Sequence, residues 1–178
     1  MKFFAPAVLG LSLLWAGPAA TAAAVPATAA APSAAHVKAV QDLLQAMQFE
    51  KELRGIAGRS RYQNPAQRQA VYAKLAKVPA AQVYQRMAPP VARLVSMDTA
   101  TEMTRFYRTP YGQQVINKKY NSGPQIVMPG MTAPVAPEEK KERKRAAYVK
   151  ASKELADAEL AIEREAFKLL QQINQQVK

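Results

Sequence analysis

Ser96-Met97-Asp98-Thr99-Ala100-Thr101-Glu102-Met103-Thr104-Arg105-Phe106-Tyr107-Arg108-Thr109-Pro110-Tyr111-Gly112-Gln113-Gln114-Val115 carries the densest run of helix signals in the chain. Ser96 is placed to accept a hydrogen bond from the first free backbone N–H groups of a helix, and Asp98 puts negative charge in the turn where the helix dipole favours it. Ala100, Met103, Phe106 and Tyr107 recur at helical spacing as one apolar stripe. Thr109-Pro110 ends that helix and starts the next, because proline's missing N–H costs nothing in a first turn. In the second helix Tyr111, Val115 and Ile116 face the core, and Gly112 permits a neighbouring backbone to come close. Asn121-Ser122-Gly123-Pro124 stops it.

Toward the N-terminus the same period continues. Val37, Val40, Leu44 and Met47, then Phe49, Leu53 and Ile56, predict two helices or one bent helix from His36 to Tyr62, with Gly55 and Gly58 weakening the second part. Asn64-Pro65 is a capped start for a helix carrying Val71, Leu75 and Val78 inward. Pro79 opens another, with Val83 and Met87 inward. Pro89-Pro90 predicts a break or kink at Ala88, before Val91, Leu94 and Val95. No segment alternates with period two, so no strand is predicted.

Toward the C-terminus, residues 122–137 hold Pro124, Pro129, Pro134 and Pro137 and read as a stiffened linker whose Ile126, Val127, Met128 and Met131 are apolar. Residues 138–178 contain no proline or glycine and predict one long helix. Its stripe is Tyr148, Leu155, Ala158, Ile162, Ala166, Leu169, Ile173 and Val177, widened by Phe167 and Leu170. The spacing drifts from a strict heptad, which favours packing on the chain's own body over a coiled coil. Lys140, Lys141, Arg143, Lys144 and Arg145 precede the large apolar positions and are interleaved with Glu138, Glu139 and Glu142, so this start reads as solvated. The fold class is therefore all-α: a compact multi-helix body over 36–121, a proline-rich linker and one long C-terminal helix.

Lys2, the uncharged run Phe3 to Trp15, Gly17-Pro18 and the small residues Ala20 to Ala24 follow the order of a cleavable signal peptide over 1–24. Cleavage after Ala22 or after Ala24 suits it equally. The run is too short, and too interrupted by Pro6 and Gly10, for a retained anchor, which needs about 20 apolar residues. Residues 25–35, rich in alanine and proline, read as a flexible tether. The reading is export to a bacterial periplasm.

The chain has 25 Lys and Arg against 13 Asp and Glu, a formal charge of +12. Residues 36–121 carry 14 basic against 5 acidic side chains, +9, and residues 138–178 carry 10 against 8, +2. With no cysteine and one histidine, the chain has neither disulfide staples nor the ligands of a structural zinc site. No cofactor motif is present.

The quoted segment resembles the hallmark of the bacterial "domain of unknown function 2059" family of exported helical proteins. There a capped helix ends in Phe-Tyr and is followed by a Ser/Thr-Pro-x-Gly-Gln/Lys turn. Ser96, Phe106, Tyr107, Thr109, Pro110, Gly112 and Gln113 carry the match, and Leu43-Leu44 with Met47 resembles the family's opening helix. The resemblance implies a helical fold and export, and no activity.

No residue set specifies a reaction. His36 sits at the edge of the tether, where nothing in the sequence fixes a triad's geometry. Asp98 and Glu102, four apart on one helix face, are the only arrangement resembling a glycan-cleaving carboxylate pair, and helix-dipole compensation explains them as well. Arg59, Arg61, Arg68, Arg105 and Arg108, with Tyr62, Tyr72 and Lys74, form a candidate anion-binding set, while Phe106 and Tyr107 read as core. The expectation is a non-enzymatic periplasmic protein acting through contact with an envelope protein, as adaptor, inhibitor or envelope-maintenance factor. The alternative is electrostatic binding of an anionic envelope polymer or lipid surface by the basic body, and a weaker one is peptidoglycan cleavage. Export argues against a nucleic-acid partner.

Overall fold

The computed structural model describes residues 31–121 and 135–176, and among these every regular element is a helix. They run in the order α1 (Ala34–Ala46), α2 (Phe49–Arg59), α3 (Pro65–Ala76), α4 (Ala80–Val91), α5 (Met97–Tyr107), α6 (Pro110–Asn121), α7 (Pro137–Glu142) and α8 (Ala146–Gln176). The all-α reading holds. The signal-peptide segment and nearly all of the linker lie outside the described residues, as does Val177.

Local side-chain caps set four of the helix starts, at Ser33, Asn64, Ser96 and Thr109. Asn64 Oδ1 accepts from the Gln67 N–H at 2.8 Å with Pro65 in first position, and Ser96 Oγ accepts from the Thr99 N–H at 3.2 Å. Each such cap is worth about 1 kcal/mol. Between α1 and α2 the chain turns through Gln48, whose φ of 53° is the left-handed conformation, so the bent-or-broken helix is two helices. Gln48 is held there by a hydrogen bond from its amide to Gln113 Oε1 at 3.2 Å.

Packing then follows the apolar stripes. α1 lies against α4 and α5, while α8 runs across α2, α3, α4 and α5. Val40, Leu43 and Leu44 of α1 meet Met87 and Val91 of α4 and Ala100 and Met103 of α5 in one core, to which α8 adds Leu155, Ile162, Ala166, Leu169, Leu170 and Ile173. Each large side chain buried there contributes roughly 1.5–3 kcal/mol. The last helix therefore docks on its own chain.

Five expectations are corrected. Pro89 and Pro90 do not break α4, which continues to Val91. The bonds they remove fall in its last turn, and complete burial of Met87, Ala88 and Val91 holds the helical path past them. The C-terminal region is two helices rather than one: Lys144 and Arg145 leave the α-helical ladder, their N–H groups reaching back only three residues to Lys141 and Glu142 at 3.3 and 2.9 Å. Propensity alone favours continuity, and tertiary ion pairs override it. Arg105 Nη2 lies 2.5 Å from Glu142 Oε2 and Arg145 Nη1 lies 2.9 Å from Glu102 Oε1, so this basic run is partly docked, with Lys140, Lys141 and Lys144 exposed. Phe167 does not widen the buried stripe and is 44 % exposed. The tether ends earlier than residue 35, because Ser33 Oγ caps α1 and His36 Nε2 donates to the Val95 carbonyl at 2.9 Å, fixing the ring.

Candidate binding groove at the α5–α6 corner

The corner between α5 and α6 is built by the residues of the quoted segment. Thr109 Oγ1 donates to the Phe106 carbonyl at 2.8 Å and accepts from the Gly112 N–H at 3.0 Å, closing one helix and opening the next. Gly112 is buried against the end of α5: a β-carbon there would overlap the Phe106 carbonyl oxygen and lie 2.7 Å from Tyr107 Cα. Only glycine allows that approach. Gln113 donates to the carbonyls of Tyr107 and Ala46, so one side chain ties α6 to the ends of both α5 and α1.

This corner aims four aromatic rings at one place. Phe106, 3 % exposed, meets Tyr107 edge-on at a centroid distance of 5.1 Å, Tyr111 at 6.2 Å and Tyr148 of α8 at 4.8 Å. Such pairs add about 0.5–1.5 kcal/mol beyond their area. Above them opens a groove of about 320 Å³, walled by α2, α5, α6 and α8 and closed at one side by Glu139 of α7. Met103, Leu155 and Ile162 give it an apolar floor.

Its polar groups are few and unlike the rest of the surface. Glu52, Glu139, Glu159 and Glu163 reach the lining against Lys119 as the single cation. Glu52 is shared by Arg59 and Lys119, each at 3.1 Å; burial pushes its carboxyl up, but the two cations outweigh that and leave it below the ordinary range. Glu139 accepts from the Tyr111 hydroxyl at 2.9 Å, and that bond with the Arg143 pair holds it low. Among the described residues Glu159 pairs only with Lys119, at 3.9 Å, and its side chain is 65 % exposed. Burial pushes the Tyr107 hydroxyl up to about 12, with Tyr148 and Glu159 adding to it. No described residue hydrogen-bonds that hydroxyl.

The candidate anion-binding arginines do not share one free surface. Arg59 is divided between Glu52 and Glu163 at 3.1 Å each, and Arg105 between Glu102 at 2.8 Å and Glu142 at 2.5 Å. Arg61, Arg68 and Arg108 are exposed, Arg68 lying 5.8 Å from the Tyr72 ring centre. Asp98 and Glu102 do share an open depression, yet both oxygens of Glu102 are engaged by Arg145, with Arg105 on the same carboxylate. Among the described residues no group of His, Asp and Glu is arranged to hold a metal ion.

Sequence reasoning placed Phe106 and Tyr107 together but missed the groove, because Glu52, Tyr148, Glu159 and Glu163 arrive from α2 and α8. The available signal was Tyr148, the one tyrosine of an alanine-rich helix, with Glu159 and Glu163 four apart beyond it. A second exposed apolar surface, Leu160 at 70 % and Phe167, stands seven residues apart on α8. Among the described residues no helix is long and apolar enough to cross a membrane. Comparison with known proteins finds no matching family, no matching curated protein and no matching solved structure.

Proposed function

We propose that this chain is an exported, periplasmic, non-enzymatic protein that acts by holding a segment of a partner protein in the aromatic groove. The observation that supports this reading most is the open groove itself: an apolar, aromatic-floored concavity of about 320 Å³ whose Tyr107 hydroxyl has no partner among the described residues. A surface of that kind loses free energy to water and regains it on contact with an apolar segment that also brings a hydrogen-bonding group. The likeness of Ser96 to Val115 to the domain of unknown function 2059 belongs to the same proposal, as a shared corner that shapes the groove. Binding of an anionic polymer is disfavoured at Arg59 and Arg105, which would first have to leave two carboxylates each, so that only Arg61, Arg68 and Arg108 of the candidate set remain exposed for it.

Ala156 is exposed on α8 and lies on the groove wall. A photo-crosslinking residue placed there in cells should capture a discrete partner band that the same residue at Gln82, exposed on α4, does not. Equal labelling from both positions, or none from Ala156, sinks the reading.

A further inference from the structure

We infer that the groove selects a cationic side chain, a lysine or arginine, carried between apolar neighbours of the bound segment. This rests on the groove reading above and adds the chemistry of the occupant.

The first argument is charge. The body carries +9, yet the groove lining presents four carboxylates to one ammonium, so the sign of the local surface is reversed where the aromatic floor is exposed. The neighbouring cations cancel part of this: Arg59 spans Glu52 and Glu163, and Arg143 pairs with Glu139. Among the described residues Glu159 is left over, with a single cation 3.9 Å away that Glu52 holds more closely at 3.1 Å. An arriving ammonium or guanidinium completes a carboxylate that the fold leaves under-paired. An arriving carboxylate meets four lining carboxylates and only one lining cation, Lys119, which Glu52 already holds.

The second argument is the floor. Ring faces attract cations, and this chain already uses that contact beside the groove, where Lys51 and Lys119 lie 5.9 and 5.8 Å from the centre of Tyr120. A wholly apolar occupant would cover Tyr107 Oη and part of Glu159 without supplying a partner, which costs more than an unfilled groove in water. Size agrees as well. About 320 Å³ lies at the low end of the roughly 300–1,000 Å³ typical of ligand sites, room for a few side chains rather than a folded element.

The test uses the full chain and three acetylated tripeptide amides, Leu-Lys-Phe, Leu-Gln-Phe and Leu-Glu-Phe, titrated at low salt with tyrosine-ring resonances as readout. The lysine peptide should bind roughly three- to ten-fold more tightly than the glutamine peptide, the glutamate peptide weakest of all, and salt should narrow the spread. Glu159→Gln, at an exposed position, should remove most of the lysine preference, so that the lysine and glutamine peptides bind nearly alike, with the melting curve recorded as a check on folding. Equal binding of all three peptides overturns the inference while the groove reading survives. Absence of binding by any of them overturns both. A lysine preference indifferent to Glu159→Gln and Glu163→Gln puts the cation elsewhere and overturns it. Tyrosine shifts seen only where sedimentation shows self-association assign the groove to a second copy, with the same consequence.

Discussion

The two ends of α8 are held to the body in different ways. Its first half adds polar anchors to the buried Ala151, Leu155 and Ala158: the Glu154 carboxylate accepts from the Ser96 N–H at 2.5 Å, from Ser96 Oγ at 3.0 Å and from Thr99 Oγ1 at 2.6 Å. Its second half is anchored by Ala166, Leu169, Leu170 and Ile173, all buried, while the polar contacts there, Lys74 to the Asn174 carbonyl and Arg86 to Gln172, are exposed. Apolar burial is strong and tolerant of small shifts. Three convergent hydrogen bonds on one carboxylate are directional, so they set where along its length the helix sits. The polar end thus fixes register and the apolar end supplies adhesion, and the groove, walled by residues 148 to 163 of α8, lies where register matters most.

The largest effect should come from breaking the apolar end. Ile173→Ala or Leu169→Ala should lower stability by about 2–4 kcal/mol, read as a fall in the urea midpoint at unchanged slope. A loss under about 1 kcal/mol would show that this half of α8 adheres weakly and would remove the contrast. Next should come Glu154→Ala, at about 1–3 kcal/mol, because it strands the Thr99 hydroxyl, which is 1 % exposed. Glu154→Gln keeps the acceptor oxygen and should cost less. Should both substitutions cost nothing, the register argument fails.

What the sequence reveals and conceals follows the same division. Asn64-Pro65, Ser96 and Thr109-Pro110 were legible because a cap joins residues only three apart in the chain. The stripe on α8 was legible because burial repeats along one helix. Pro89-Pro90 misled, since burial of Met87 and Ala88 outweighs two missing bonds. The turn at Arg143 to Arg145 was invisible because the residues that pair with it, Glu102 and Arg105, lie some 40 residues away in the chain. The groove was half legible: Phe106, Tyr107 and Tyr111 come from the quoted corner, but its acids come from α2, α7 and α8, and no local period announces such a meeting.

Acid should separate the two ends. Burial raises the Glu154 carboxyl, but hydrogen bonds from Thr99 and Ser96 outweigh it and hold it below the ordinary value of 4.5; the Arg105 bond does the same for Glu142, and the Tyr111 bond for Glu139. A carboxylate whose folded pKa is depressed contributes stability that is fully present above its unfolded value and is lost as pH falls through the folded one. Stability should therefore hold near neutrality and decline below about pH 4.5. Glu52, also lowered, adds to the decline from α2. Hydrogen exchange at pH 3.5 or so should accelerate first in α7 and the opening turns of α8, before residues 166–173, where no lowered carboxylate sits. Uniform acceleration along α8 would erase the distinction.

The smallest effect concerns the turn that separates α7 from α8. Arg145 pairs with Glu102 at 2.9 Å and with Glu142 at 3.0 Å, but Arg105 already bridges the same two carboxylates, so Arg145→Ala removes a redundant partner. At a half-exposed site this should cost no more than about 1 kcal/mol, and the cost should vanish in high salt. The same substitution introduces the best helix former at a position that leaves the helical ladder. If the ion pairs cause the break, then removing Arg105 and Arg145 together should cost more than the two single losses combined. Backbone chemical shifts of Arg143 and Lys144 should then move toward helical values, joining α7 to α8 as one rod. Shifts that stay non-helical in the double variant would mean that docking of Glu139 on Tyr111, and not the arginine pairs, bends the chain.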